Sequence, residues 1–470
     1  MGIIGPVASN GGCDRRGGKQ GYNFSAMMRP VLSLRLGSLL VALSMIAFAC
    51  GSDSSTTLPP QTTAEEAVAE VTTTAETTTQ APPVTEVEAE IVEDDPIEDV
   101  DPLETVAAEL EALLVDWQEE NGAPAVSLSV RIPGAEPINV ASGVTDIVTE
   151  DPVTPDDYFR IASVTKPMTA AVVLQLVEEG LVELDAPVRT YLPEWLEGYP
   201  YADDITIRQL MDHTNGLKEY ALDPVFYALA GERLETPIEP EEIIEWLASQ
   251  EPLFAPGEQY SYETGGFLSL GRVIETVTGN SAAAEMRARI FQPAGAENIY
   301  LTPEEFPPEV TVNGYGRGLM YLAATAIIGR EDTEGLTIND EPVAAVFSLP
   351  QDVLQSSGWT GGGNEAQMES VSAVIKAMFD GTILSDDLIE QMTTPVLDVD
   401  YGLGISNDNV DGVTVYSHGG GVPGFRSQAG YLPEYDVSYA VSSNLIPLPE
   451  GAGVGDLQRQ LVPLLVAAVQ

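Results

Sequence analysis

Residues 159–176 read FRIASVTKPMTAAVVLQL, and the rest of the chain can be interpreted outward from this stretch. From Met168 to Leu176 it is apolar and uncharged, the pattern of a buried helix. Pro167 is tolerated at the start because first-turn N–H groups lack helical partners. Ser163 and Lys166 are three apart and share one face within one turn. A serine hydroxyl is a poor nucleophile until a neighbouring base takes its proton, and a lysine withdrawn from water loses enough basicity to serve. The helix start adds unpaired N–H groups and positive partial charge, which suit an anionic transition state. The spacing Ser-x-x-Lys is a weak signal by itself. Scarcity strengthens it, since the 470 residues hold four lysines and one sits here, where a surface role is least expected.

Composition changes sharply upstream. Residues 1–26 fit neither a signal nor a domain, as would a start assigned too early. Residues 27–50 have the layout of a secretory signal: Arg29 and Arg35, an apolar run over 39–48, then small residues. The run is too short for a stable membrane span. Ala47-Phe48-Ala49-Cys50 resembles a bacterial lipobox, with Ala47 where leucine is usual, so the expectation is an exported protein held on a membrane by a lipid on Cys50. Residues 51–102 are rich in Thr, Pro and Glu and lack aromatic and basic residues. Such a segment cannot bury enough apolar surface to offset its ordering entropy, and reads as a self-repelling stalk.

Residues 103–470 are long enough for one large folded unit or two intertwined lobes. Asp101-Pro102-Leu103-Glu104 reads as a helix start, Leu103, Val106, Leu110, Leu113, Leu114 and Trp117 as its apolar face, and Asn121-Gly122 as its end. Alternation predicts strands over 126–130 and 139–144, and near the C-terminus over 414–417, 426–432 and 437–443, the last two joined by a turn at 433–436. A final helix covers about 456–469. Strands at both ends around a helical middle predict an α/β (α+β) fold: an antiparallel sheet built from both chain ends and flanked by helices, with a mostly helical lobe inserted over roughly 160–340. The cleft between the lobes is the natural ligand site.

Asp and Glu number 73 against 20 Lys and Arg, so a nucleic-acid backbone is excluded as a partner. Cys13 and Cys50 both precede the folded part, which therefore holds no disulfide or thiolate metal site. The two histidines, His213 and His418, are too few and too distant for a zinc hydrolase centre. Residues 407–412, NDNVDG, faintly suggest a calcium loop, but position twelve is His418 and not glutamate, so a hairpin turn is expected. No metal or cofactor is expected.

Five stretches together resemble the family of serine β-lactamases, D-alanyl-D-alanine carboxypeptidases and related esterases, especially its class C-like branch, over nearly all of 103–470. Residues 159–195, FRIASVTKPMTAAVVLQLVEEGLVELDAPVRTYLPEW, are similar to its nucleophile helix, and ITIRQLMDHTNGL to its helical-lobe signature. PGEQYSYETGGFLSLGRVIE resembles its second catalytic loop, YGLGI a later strand, and HGGGVPGF the third motif on the sheet edge. The resemblance implies a β-lactamase/transpeptidase-like fold, Ser163 as nucleophile, Lys166 and Tyr262 as proton carriers, and Thr264 where asparagine is usual. It also places His418 opposite the nucleophile, sets Gly420 and Gly421 along the substrate, and pairs the Gly421 N–H with that of Ser163 as an oxyanion hole. Tyr260 is a compositional rival of Tyr262, and Tyr262 itself is open to reading as core. His213 is read as structural, and three consecutive glycines alone read as a turn.

Two departures bear on substrate. Gly419 removes a hydroxyl, and 405–407 lacks the arginine that some relatives use to grip a terminal carboxylate; Arg426 is the substitute considered. The expected partner is a small-molecule or cell-wall peptide substrate, and the expected assembly a monomer. The rival, non-enzymatic reading is a lipoprotein that binds peptidoglycan or penicillin in this cleft without turnover.

Overall fold

Strand β1 (Ala125–Arg131, AVSLSVR) is buried on both faces, and its alternation separates two cores. Val126, Leu128 and Val130 join Leu110, Leu114 and Trp117 of helix α1 (Pro102–Asn121) and Leu457, Leu461 and Leu465 of the C-terminal helix α8 (Val454–Val469). Ser127 and Ser129 face the other way and are also buried, because helix α7 (Met368–Phe379) lies across that face. The hydroxyls meet the helix directly: Ser129 Oγ is 2.9 Å from Ser372 Oγ, and Ser438 Oγ donates to Ser372 O over 2.9 Å. Small hydroxylated residues allow this approach where larger polar ones would not.

This computed structural model describes residues 102–470 except 222, 224–235, 310–311, 319–320, 322–334, 347–350 and 447–453. The expected leader, Cys13, Cys50 and the stalk lie outside the described residues. Among the described residues no helix is long and apolar enough to cross a membrane.

The remaining strands are β2 (Ile138–Gly143), β3 (Phe159–Arg160), β4 (Ile299–Leu301), β5 (Tyr315–Arg317), β6 (Thr337–Ile338), β7 (Glu341–Ala345), β8 (Asn364–Ala366), β9 (Ser406–Val410), β10 (Val413–Val422), β11 (Phe425–Leu432), β12 (Val437–Ser443) and β13 (Leu445–Ile446). Six form the main antiparallel sheet in the order β2-β1-β12-β11-β10-β9, with Leu128 opposite Val140 on one side and Val441 on the other. The two chain ends therefore share one sheet, as their alternation predicts. β9 and β10 are joined through Asp411 (φ 51°) and Gly412 (φ 90°), a two-residue hairpin turn with both central residues left-handed.

The helical part includes α2 (Thr165–Glu178), α3 (Ile207–Met211), α4 (Pro240–Ala248), α5 (Gly265–Thr278) and α6 (Gln351–Gly362), the last kinked at Trp359. Helix α2 is apolar nearly all round because α5 and α6 pack against it, which makes it the core of this lobe. Gly271 of α5 permits the approach of α6, since a Cβ there would lie 2.5 Å from Thr360 Oγ1.

Residues 315–317, 337–338 and 341–345 are strands. They contribute β5, β6 and β7 to a small sheet that β13 joins in parallel, and Tyr315, Val343 and Ala345 pack into the core formed with α1 and α8.

Candidate active site

Ser163 stands where a short strand turns into a helix. β3 pairs with β8, and Ile161 N–H donates to Asn364 O over 3.0 Å. Ala162 follows with φ 50°, a left-handed conformation that an alanine holds only at some cost in strain. A 3₁₀ turn over Ala162–Val164 then leads into α2. Two further bonds pin the turn: Ser427 Oγ donates to Ile161 O over 2.6 Å, and Asn364 N–H to Thr165 Oγ1 over 3.1 Å. Ser163 is thus fixed from β8 and β11 as well as from its own helix.

Lys166 is fully buried, and its amine has three oxygen partners: Gly361 O at 2.8 Å, Ser163 Oγ at 3.2 Å and Thr264 Oγ1 at 3.4 Å. The bond directions follow from what each partner can do. A carbonyl only accepts, and Thr264 uses its own hydrogen on Glu219 Oε2 at 3.0 Å, so it too accepts from the amine. The third site faces Ser163, and a lone pair there would take the serine proton. Burial lowers the Lys166 pKa to about 8, against the opposing pull of Glu219 and Glu263.

Tyr262 and Thr264 approach this amine from the segment that leads into α5, with Glu263 between them. The Glu263 carboxylate is fully buried and accepts from Asn215 Nδ2 at 3.0 Å and from Gly266 N–H at 2.8 Å. Asn215 and His213 belong to the loop after α3, and Ser261 N–H donates to His213 O over 3.0 Å. The loop thereby sets the register of the Tyr262 segment. The Tyr262 hydroxyl is hydrogen-bonded to Ser163, and the Lys166 amine lies 4.9 Å from the centre of its ring. Burial pushes the Tyr262 phenol well above its ordinary pKa, so it keeps its proton and is equipped to donate one. Tyr260 stacks edge-on against His213, ring centres 5.9 Å apart.

His418 lies beside Tyr262, ring centres 6.1 Å apart, and is held at both of its nitrogens. Its Nδ1 is 2.6 Å from Gly419 O, a pure acceptor, so Nδ1 carries the hydrogen. Its Nε2 then accepts from the Tyr401 hydroxyl at 3.0 Å, while His213 Nε2 donates to that hydroxyl at 3.2 Å and His213 Nδ1 accepts from Glu263 N–H at 3.4 Å. Burial lowers the His418 pKa to about 3 and that of His213 well below its usual value, so both rings are neutral. Both nitrogens of His418 are thus engaged.

The glycines after His418 are strand, not turn. β9 pairs with β10 only through Ser417, so the β9-side edge of 418–422 has no strand partner among the described residues. Gly420 lies against the turn that carries Ser163: a Cβ there would fall 2.2 Å from Ile161 O and 2.3 Å from Ser427 Oγ. Gly421 follows on the same edge, opposite Arg426 on β11, and a Cβ there would meet Arg426 Nη1 at 2.8 Å.

Two residues of this constellation escape sequence reasoning. Glu219, half-buried beside Thr264, sits in Lys218-Glu219-Tyr220 like any surface charge, and Lys218 is engaged by Asp223. Tyr401 opens the YGLGI stretch, but nothing local links it to both histidines. Among the described residues no group of three His, Cys, Asp or Glu side chains is placed to hold a metal ion.

Residues 106–462 match the family model described as Beta-lactamase. The chain is 26% identical over 300 residues to Penicillin-binding protein 4* of Bacillus subtilis (strain 168), covering 61% of this chain and 60% of that one. It is 36% identical over 177 residues to the esterase EstB of Burkholderia gladioli, 35% of this chain and 45% of the relative. It is 31% identical over 202 residues to the D-aminopeptidase of Brucella canis, 43% and 37% respectively. The match thus spans 60% or less of the length of these relatives. Among solved structures, D-amino acid amidase from Ochrobactrum anthropi SV3 has the same fold, with TM-score 0.65 and 22% identity over 78% of this chain and 100% of that one.

Proposed function

Since the chain belongs to the Beta-lactamase family, we propose that it is a serine hydrolase in which Ser163 is transiently acylated by an ester, an amide or a D-amino-acid peptide. One observation carries this reading: the Lys166 amine has two of its positions occupied by acceptors and the third directed at Ser163 Oγ, 3.2 Å away. Neutral Lys166 takes the serine proton as Oγ attacks the carbonyl carbon. The phenol of Tyr262, bonded to Ser163, gives its proton to the departing group and recovers one from Lys166. The free edge of β10 at 418–422 and the Ser163 N–H are the groups proposed to receive the oxyanion and the substrate backbone. Water then releases the acyl group by the same route in reverse.

The names of the relatives, an esterase, a D-aminopeptidase and a penicillin-binding protein, support this range of acyl donors. Intact-mass measurement after mixing with a penicillin and with a p-nitrophenyl ester tests it. The wild-type chain gains an acyl group and turns the ester over, and Ser163→Ala does neither. Turnover surviving in Ser163→Ala would end the assignment, and a permanent adduct with no turnover of any substrate would favour a penicillin-binding role. We further propose export and lipidation at Cys50, supported by the layout of residues 27–50. Cys50→Ala should move the protein from the membrane to the soluble fraction; unchanged membrane retention contradicts it.

A further inference from the structure

Thr264 occupies a position where a hydroxyl has an unusual property: it accepts from an amine on one side and donates to a carboxylate on the other. Lys166 Nζ is 3.4 Å from Thr264 Oγ1, and Thr264 Oγ1 is 3.0 Å from Glu219 Oε2, while Glu219 Oε1 is fixed by the Ala221 N–H at 2.7 Å. Together with the 3.2 Å contact from Lys166 to Ser163, this is an unbroken line from the nucleophile to a half-buried carboxylate.

Resting on the hydrolase reading above, we propose that Glu219 is a proton acceptor for Lys166 and that the Thr264 hydroxyl conducts the proton between them. Lysine must shed its third proton before it can act as a base. In one concerted movement a hydrogen of the Lys166 ammonium passes to Thr264 Oγ1 and the hydrogen of Thr264 passes to Glu219. The products are a neutral amine, an unchanged threonine and a neutral carboxyl group, and only N–H and O–H bonds change. The amine then turns about its Cε–Nζ bond, which brings the lone pair from Thr264 to face Ser163 Oγ, and takes the Ser163 proton. A valine here would break the line. Asparagine, which the family resemblance places at this position, would accept and donate through different atoms and pass no proton without changing its bonding.

The charges around the pair suit a shared proton. Lys166 faces Glu219, Glu263, Tyr262 and the two neutral histidines, and the carboxylates raise the lysine while burial lowers it to about 8. Burial, then Glu263, raises Glu219 to about 7. Two groups brought this close titrate as a pair.

The test measures kcat/KM on a p-nitrophenyl ester for Thr264→Val, Glu219→Gln, the double variant and Thr264→Ser, with circular dichroism to verify folding. Each of the first two should lose about tenfold at neutral pH. The double variant should lose no more than the worse of them, because the two residues act as one unit, and Thr264→Ser should restore what Thr264→Val loses. A folded Thr264→Val with wild-type kinetics, or losses that multiply in the double variant, would overturn the conduction. A second measurement needs no activity: in the full chain labelled with [13Cε]lysine, the Lys166 titration midpoint should fall in Glu219→Gln. An unmoved midpoint overturns the pairing whether or not the protein hydrolyses anything, whereas activity retained by Ser163→Ala would remove the hydrolase reading and leave this titration intact.

Discussion

The side-chain amide of Asn215 donates to the carboxylate of Glu263 over 3.0 Å, at a point where both residues are fully buried. This bond ties the loop after α3 to the residue between Tyr262 and Thr264. Asn215→Ala would leave a buried carboxylate short of one donor, a loss of about 1–3 kcal/mol. Denaturant unfolding should register that loss, and kcat should fall further than the lower stability explains, because Tyr262 and Thr264 lose their register. Full stability with full kcat would show that the loop does not position the segment.

The pH dependence follows from which groups must give up a proton. Lys166 is lowered to about 8 and Glu219 raised to about 7, so kcat/KM should fall as pH drops through the window between them, as the pair fills with protons. Burial holds the Tyr262 phenol well above 10, so this group contributes no alkaline loss below that value. Neither histidine adds a limb near 6.5, since His418 lies at about 3 and His213 well below its ordinary value. A pH–rate profile whose acid limb sits near 6.5 and vanishes in His418→Gln would contradict this assignment. Lys166→Ala should lose at least ~100-fold across the range.

How far the sequence carried depended on whether the signal was local. β1 and β12 are legible because Val, Leu and Tyr alternate with small residues, and Ser163 and Lys166 because both lie within one turn. The strand character of 418–422 is not legible from composition: glycine has no side chain to alternate, and its presence is explained only by the Ile161 and Ser427 oxygens that crowd Gly420. The role of Glu219 depends on Thr264, 45 residues away, and that of Tyr401 on a histidine 188 residues earlier. β5 and β7 carry no comparable local signal, because they are short and complete their sheet with β13, near the other end of the chain.

Tyr401 supplies one hydroxyl to two buried histidines, taking a hydrogen from His213 and giving one to His418. Tyr401→Phe keeps the ring but leaves two imidazole nitrogens without a partner away from water. The cost should be about 1–3 kcal/mol for each group left unsatisfied, read from thermal or denaturant unfolding. Unchanged stability would mean that the two rings do not depend on this hydroxyl and that the assigned hydrogen directions are wrong.

Gly420 brings β10 against the turn that carries Ser163. A methyl group there would fall 2.2 Å from Ile161 O and 2.3 Å from Ser427 Oγ, and would disturb the bond that Ser427 donates to Ile161 O. Backbone atoms cannot yield as a flexible side chain can, so Gly420→Ala must push β10 away from Ala162 and Ser163. The sheet itself should survive, because β10 keeps its full ladder to β11 and its pairing with β9 below His418. The expected outcome is a folded protein with near-native far-ultraviolet circular dichroism whose acylation of Ser163 by a p-nitrophenyl ester falls by about 100-fold, the size of effect seen when an oxyanion donor is displaced. Normal acylation kinetics in Gly420→Ala would show that this edge of β10 takes no part in binding the reacting carbonyl.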